Sequence, residues 1–156
     1  MRLPDWAAKE DFFALRFVGK IKVPKRGKFN FYLNSDDGSR LFIDGSMVVN
    51  NDERHSEQTV VGTIRLEAGL HDLEVQYFQH DGNKKLELLW AGPGASYSEV
   101  PPANLPSLVC RQYSGKWWRL PFDRSCAISD VVEIRKPFDS GDASDKSAIP
   151  SSEKIQ

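Results

Sequence analysis

The chain has 156 residues, 40% of them hydrophobic, which suits one domain with a real core and a tail rather than two full domains. It carries 21 Lys and Arg against 22 Asp and Glu, and a net charge of -1 gives no electrostatic case for nucleic acid or an anionic membrane. No apolar run approaches the roughly 20 residues that a membrane-spanning helix needs, and Met1 to Asp5 show no apolar core of a secretory signal. The expectation is therefore no membrane insertion, and a piece of a larger protein rather than a complete one.

Period-two alternation is the dominant pattern. Phe13, Leu15, Phe17, Gly19, Ile21 and Val23 alternate with partners that include Arg16, Lys20 and Lys22. A strand of this kind buries one face and wets the other. Pro24 to Gly27 interrupt the pattern, which resumes at Phe29, Phe31 and Leu33 and again at Leu41 and Ile43. Val60, Ile64 and Leu66 predict a strand near Thr59–Leu66, and two more follow at Leu73, Val75, Tyr77 and at Leu86, Leu88, Trp90. The Asp-Gly pairs at 37–38, 44–45 and 81–82 predict hairpin turns, with further turns at Ala68-Gly69 and Gly92-Pro93-Gly94. Strands at this spacing without a sustained helical pattern predict an all-β, antiparallel β-sandwich or barrel.

Beyond Val100, three prolines up to Pro106 mark an exit loop. The polar stretch 139–156 reads as a flexible tail or linker. Arg119-Leu120-Pro121 repeats Arg2-Leu3-Pro4, so segment 113–138 either begins another copy of the domain or folds back to complete this one, which would occupy 1–112. Cys110 and Cys126 are either two independent thiols or a disulfide; sequence leaves both open, since bridging depends on Cα separation. His55, His71 and His80 show no zinc-ligand spacing. His55 sits in the polar loop 50–55 and is expected to anchor it, and Trp90 is expected in the core. No nucleophile elbow and no Cys–His pair stands out, so the chain is expected not to be an enzyme.

The stretch Phe13-Ala14-Leu15-Arg16-Phe17-Val18-Gly19, then Val23-Pro24 and Gly27-Lys28-Phe29-Asn30-Phe31, resembles the opening of a PA-fourteen domain of the anthrax protective-antigen type. Ser35-Asp36-Asp37-Gly38-Ser39-Arg40-Leu41-Phe42-Ile43-Asp44-Gly45 resembles that family's central motif. Leu66-Glu67-Ala68-Gly69-Leu70-His71, Tyr77-Phe78 and Leu88-Leu89-Trp90-Ala91-Gly92-Pro93-Gly94 follow in order, so the resemblance runs from about Asp11 to Pro106. It implies a twisted β-sandwich. In lectin members, adjacent aspartates joined by a cis peptide hold calcium, a second loop adds an amide and backbone carbonyls, and two sugar hydroxyls complete the shell.

Carried over residue by residue, the resemblance implies calcium ligands at Asp36 and Asp37, at the Gln79 amide, and at the carbonyls of Asp81 and Asn83. His80 and Lys84 lie beside them and are expected at the ligand. Calcium takes six to eight oxygen ligands, so two carboxylates leave positions that a vicinal diol can fill. So few charged ligands imply binding on the order of 10⁻⁴–10⁻³ M, which suits an extracellular or cell-surface module. Neighbouring aspartates suit an ion better than glycosidase chemistry, whose carboxyls stand roughly 5–9.5 Å apart across the bond. No 12-residue loop carries the acids of an EF-hand. The expected function is calcium-dependent binding of surface glycans or polysaccharides, in an adhesin-like protein and in possible tandem with other modules. The alternatives are a structural or protein-interaction module and an accessory domain of a glycosidase.

Overall fold

In a computed structural model of the protein, residues 1–122, 131–137 and 153–155 are described. The chain forms strands β1 (Phe13–Val23), β2 (Gly27–Asp36), β3 (Ser39–Ile43), β4 (Ser46–Asn51), β5 (Gln58–Leu66), β6 (Gly69–Gln79), β7 (Lys85–Gly92), β8 (Ala95–Glu99), β9 (Val109–Ser114), β10 (Val131–Pro137) and β11 (Glu153–Ile155). Two single 3₁₀ turns, Asp5–Lys9 and Pro102–Asn104, complete the described elements. No helix among them is long and apolar enough to cross a membrane.

Two antiparallel sheets face each other. One has seven strands in the order β11-β10-β9-β1-β6-β3-β4, the other four in the order β5-β2-β7-β8. The alternating residues point between them: Phe13, Leu15, Phe17, Ile21, Leu41, Ile43, Leu73, Val75 and Tyr77 from the first, and Phe29, Phe31, Leu33, Leu88 and Trp90 from the second. Trp90 packs its ring 5.7 Å from Phe29 and 6.4 Å from Phe31, as core and not as surface.

β4, β8 and β9 have no legible alternation. In β4 the reason is a bulge: Leu41 pairs with Val49 but Phe42 with Met47, which disrupts the two-residue period. β9 pairs with β1 and in turn receives β10. Leu120, beyond β9, is fully buried with Tyr113 against Ala14 and Phe78, on the face of β1 and β6 turned away from the main core. Cys110 is a buried free thiol, and burial pushes its pKa far above the usual thiol range. Its candidate partner Cys126 lies outside the described residues. Most of the expected tail at 139–156 does too, although Glu153–Ile155 pair with Val131–Glu133.

The Asp-Gly expectation needs correction. Only Asp44-Gly45 closes a hairpin, between β3 and β4, with φ of 51° and 77°. Asp37-Gly38 joins β2 to β3 and Asp81-Gly82 joins β6 to β7, and each pair of strands lies in different sheets. Both pairs therefore carry the chain from one layer to the other. The local turn chemistry is the same; which strand the next segment pairs with is a long-range matter.

Candidate functional site

Three crossovers between the sheets meet at one end of the sandwich: β2 to β3 at Asp37-Gly38, β4 to β5 at 52–57, and β6 to β7 at 80–84. Gly38 makes the meeting possible. A Cβ there would lie 2.5 Å from the Phe78 ring and 2.8 Å from the Glu53 carbonyl. The Phe78 amide donates to the Gly38 carbonyl at 3.0 Å, which fixes the first bend on β6. Beneath the bends, Asn51 Nδ2 donates to Ser35 Oγ at 3.1 Å and to the Gln58 carbonyl at 3.0 Å, and Ser35 and Ser39 hydroxyls lie 2.6 Å apart. This buried polar network is satisfied across both sheets and holds the strands that enter the crossovers.

Asp36 and Asp37 are both buried, and the peptide bond between them is cis. Asp36 lines an open cleft of about 550 Å³ with Ser56, Glu57, Asn83, Lys84 and Lys85. Burial and the neighbouring Asp37 charge push the Asp36 carboxyl above the usual carboxylate range. Asp37 lies behind it, with Oδ2 accepting the His80 amide hydrogen at 2.8 Å. Gln79 is fully buried; its Oε1 lies 3.0 Å from the Tyr77 hydroxyl, and its Nε2 donates to the Gly82 carbonyl at 3.3 Å. The Tyr77 hydroxyl also reaches the Asp36 carbonyl at 2.6 Å. Burial, with Asp37 and Asp36 adding, holds that phenol far above its ordinary pKa.

The remaining expected residues divide. Asn83 and Lys84 line the cleft with Asp36, and Lys84 Nζ lies 2.9 Å from Asp11 Oδ1. The Asp81 carboxylate turns to Arg54, at 2.7 Å, and to His80 Nδ1, at 3.1 Å. These neighbours, His80 first and then Arg54, hold its pKa below the usual range. His80 does not line the cleft. Its ring packs edge-on to Phe12 at 5.2 Å and lies 4.5 Å from Trp118. His55 anchors its loop through the Ser56 carbonyl at 2.7 Å and the Asn51 carbonyl at 2.9 Å.

Sequence reasoning missed Asp11, Glu57, Arg54, Asp52 and Trp118. No local pattern marks them, because their partners lie far along the chain. Asp52, for instance, accepts the Leu120 amide hydrogen at 2.8 Å across 68 positions.

The donors suit a hard, oxygen-seeking cation. Two buried like charges stand side by side, and Asp36 in particular would be relieved by a divalent ion. The Gln79 carbonyl oxygen has two lone pairs, so its contact with Tyr77 leaves one. Among the described residues no cluster of three or more His, Cys, Asp or Glu is placed to hold a metal, so any ion here must draw on amide and backbone oxygens.

The sequence profile of the PA14 domain matches residues 3–104. The anti-sigma-I factor RsgI3 of Acetivibrio thermocellus is 28% identical over 103 residues, which cover 65% of this chain and 16% of that protein. The solved structure of an anti-sigma factor domain-containing protein superposes with a TM-score of 0.61 at 28% identity, over 66% of this chain and 36% of the other. The PA14 domain of the MpAFP antifreeze protein shares the fold, with a TM-score of 0.53 at 22% identity over 58% of this chain and 49% of its own.

Proposed function

The chain belongs to the PA14 domain family, and from that premise we propose that it is a non-catalytic, calcium-dependent carbohydrate-binding module. The observation that carries this reading is the pair Asp36 and Asp37, buried side by side where the cleft meets the 79–83 loop, with burial and the Asp37 charge pushing the Asp36 carboxyl above the usual carboxylate range. In this reading the two carboxylates, the Gln79 oxygen and the carbonyls of Asp81 and Asn83 hold one calcium ion. When bound, the ion supplies open coordination positions for two sugar hydroxyls. Asn83, Lys84 and Glu57 line the cleft with polar groups suited to further hydroxyls, and His80 positions Asp37 through its backbone amide. The glycan would belong to a cell surface or a polysaccharide, met outside the cell, where millimolar calcium fills so weak a site.

The matched region is 16% of the anti-sigma-I factor, which fits a recognition module attached to parts that act elsewhere. A second reading, a structural or protein-interaction module, is favoured by one feature. The site's groups already satisfy one another, Asp37 with His80 and Gln79 with Tyr77 and Gly82.

Calorimetric titration separates the two. Calcium is added first, then a panel of monosaccharides, to the wild type and to Asp36→Ala and Asp37→Ala. The proposal expects calcium uptake, sugar binding only with calcium, and loss of both in each variant. Sugar binding unaffected by a chelator, or no calcium uptake at millimolar concentration, overturns it.

A further inference from the structure

Trp118 is 63% exposed, the most exposed tryptophan for which burial is described, and lies outside the matched region 3–104. A large exposed aromatic ring on a short anchored segment calls for an explanation, because burial of such a ring is strongly favoured. The segment is clamped at both ends. Upstream, the Gly115 amide donates to the Phe12 carbonyl at 2.8 Å. Downstream, the Leu120 amide donates to Asp52 Oδ1 at 2.8 Å and the Leu120 side chain is fully buried. Asp52 itself is held by Arg40 at 2.7 Å. Residues 116–119 therefore form a fixed arch rather than a loose tail, and Trp118 stands on it.

The arch meets the candidate site. The His80 ring lies 4.5 Å from the Trp118 ring, and the Arg54 guanidinium lies 5.0 Å from it. His80 and Arg54 both approach the same oxygen, Asp81 Oδ1, at 3.1 Å and 2.7 Å. Both contacts leave Trp118 63% exposed. The backbone of His80 continues the path by donating to Asp37.

We propose that the exposed indole of Trp118 is the stacking platform of a second sugar subsite, beside the Asp36–Asp37 site and supplied by the segment beyond the matched domain. The proposal rests on the carbohydrate reading above and deepens it. Pyranose C–H groups carry partial positive charge and the indole face partial negative charge, so a sugar ring lies flat on it. Arg54 and His80 fix the ring in place, which lowers the entropy lost on binding. The ligand class this selects is an oligosaccharide rather than a single sugar: one unit at the ion, the next on the indole.

The test measures the affinity of cellotriose, xylotriose, maltotriose and mannotriose, and of their monosaccharides, for wild type, Trp118→Ala and Trp118→Phe, with the calcium-induced thermal shift read in parallel. Expected is a trisaccharide affinity about three- to tenfold weaker in Trp118→Ala, partly restored in Trp118→Phe. Monosaccharide affinity and the calcium shift stay unchanged. Trisaccharide binding at wild-type strength in Trp118→Ala, with calcium-dependent binding intact, overturns this subsite alone. A calcium shift lost in Trp118→Ala assigns the ring a structural role and also overturns it. A wild type that binds none of these sugars removes the carbohydrate reading and the subsite with it.

Discussion

At Asp36 the carboxylate is buried beside a second carboxylate, and its pKa is raised, so ionisation there works against the fold at neutral pH. Asp36→Asn is therefore expected to leave the calcium-free protein as stable as wild type or more so, while it abolishes the response to calcium. For wild type, calcium at ten times its dissociation constant contributes about 1.4 kcal/mol, a rise of about 5 °C in Tm for a domain of this size. Scanning calorimetry of both proteins with and without calcium decides the matter, and a calcium shift retained by Asp36→Asn rejects Asp36 as a ligand. A different residue pair governs pH. His71 Nδ1 lies 2.6 Å from Asp44 Oδ2, and its Nε2 lies 2.8 Å from the Glu67 carbonyl. Partial burial works against the imidazolium, but these hydrogen bonds outweigh it and raise the His71 pKa above 6.5. Asp44 is held below 3.8, chiefly by His71. The raised histidine stabilises fully below 6.5 and loses that contribution as pH climbs through its folded value. The lowered aspartate stabilises above 3.8 and loses its contribution as pH falls through its own. The pair thus supports the fold mainly in the window between those two values. As a partly exposed pair it is worth about 0.2–1 kcal/mol. Asp44→Asn should shift the His71 NMR titration down and flatten the stability profile across pH 6 to 8; an unchanged titration contradicts the pairing.

Between elements, the close approach of the β2–β3 bend to the 52–57 loop and to β6 sets the site. Gly38 is the contact, with two Glu53 backbone atoms within 2.9 Å of where a Cβ would sit. Backbone cannot swing aside as a side-chain tip does. Gly38→Ala is expected to cost about 1–3 kcal/mol by overpacking and to weaken the calcium shift, since the same bend carries Asp36 and Asp37. A variant with wild-type Tm and calcium response would mean the loop yields freely. The network of buried Ser35, Ser39 and Asn51, joined at its edge by Gln58, explains why the site does not depend on loop order alone. It ties β2, β3 and β4 together directly beneath the crossovers.

For the molecule as a whole, the stretch from Tyr113 onward, beyond the matched residues 3–104, covers a patch of the matched region. Tyr113 and Leu120 bury Ala14 and Phe78 on the outer face of the seven-stranded sheet. Removal of residues 113–156 uncovers that patch. Truncating a buried leucine alone costs about 2–5 kcal/mol, so the shortened chain is expected to melt about 10 °C lower. An unchanged Tm would show that the segment adds nothing to the fold and belongs to another unit. The same truncation removes Trp118, so it should also weaken any trisaccharide binding that survives.

The sequence determined the inward-facing residues, the antiparallel class and the adjacent aspartates, because these are encoded at short range: alternation every two residues and one motif of neighbours. Alternation failed where a bulge broke the period, as in β4. Tertiary structure alone decided that two of the three Asp-Gly turns cross between sheets, that Asp37 and Gln79 are held by His80 and Tyr77, and that Asp52 meets Leu120. It also decided that His80 and Arg54 support Trp118. These depend on contacts between residues tens of positions apart, such as the 41 that separate Tyr77 from Asp36. No local propensity carries that information; only the pairing of strands and the closure of the core bring such groups within a hydrogen bond.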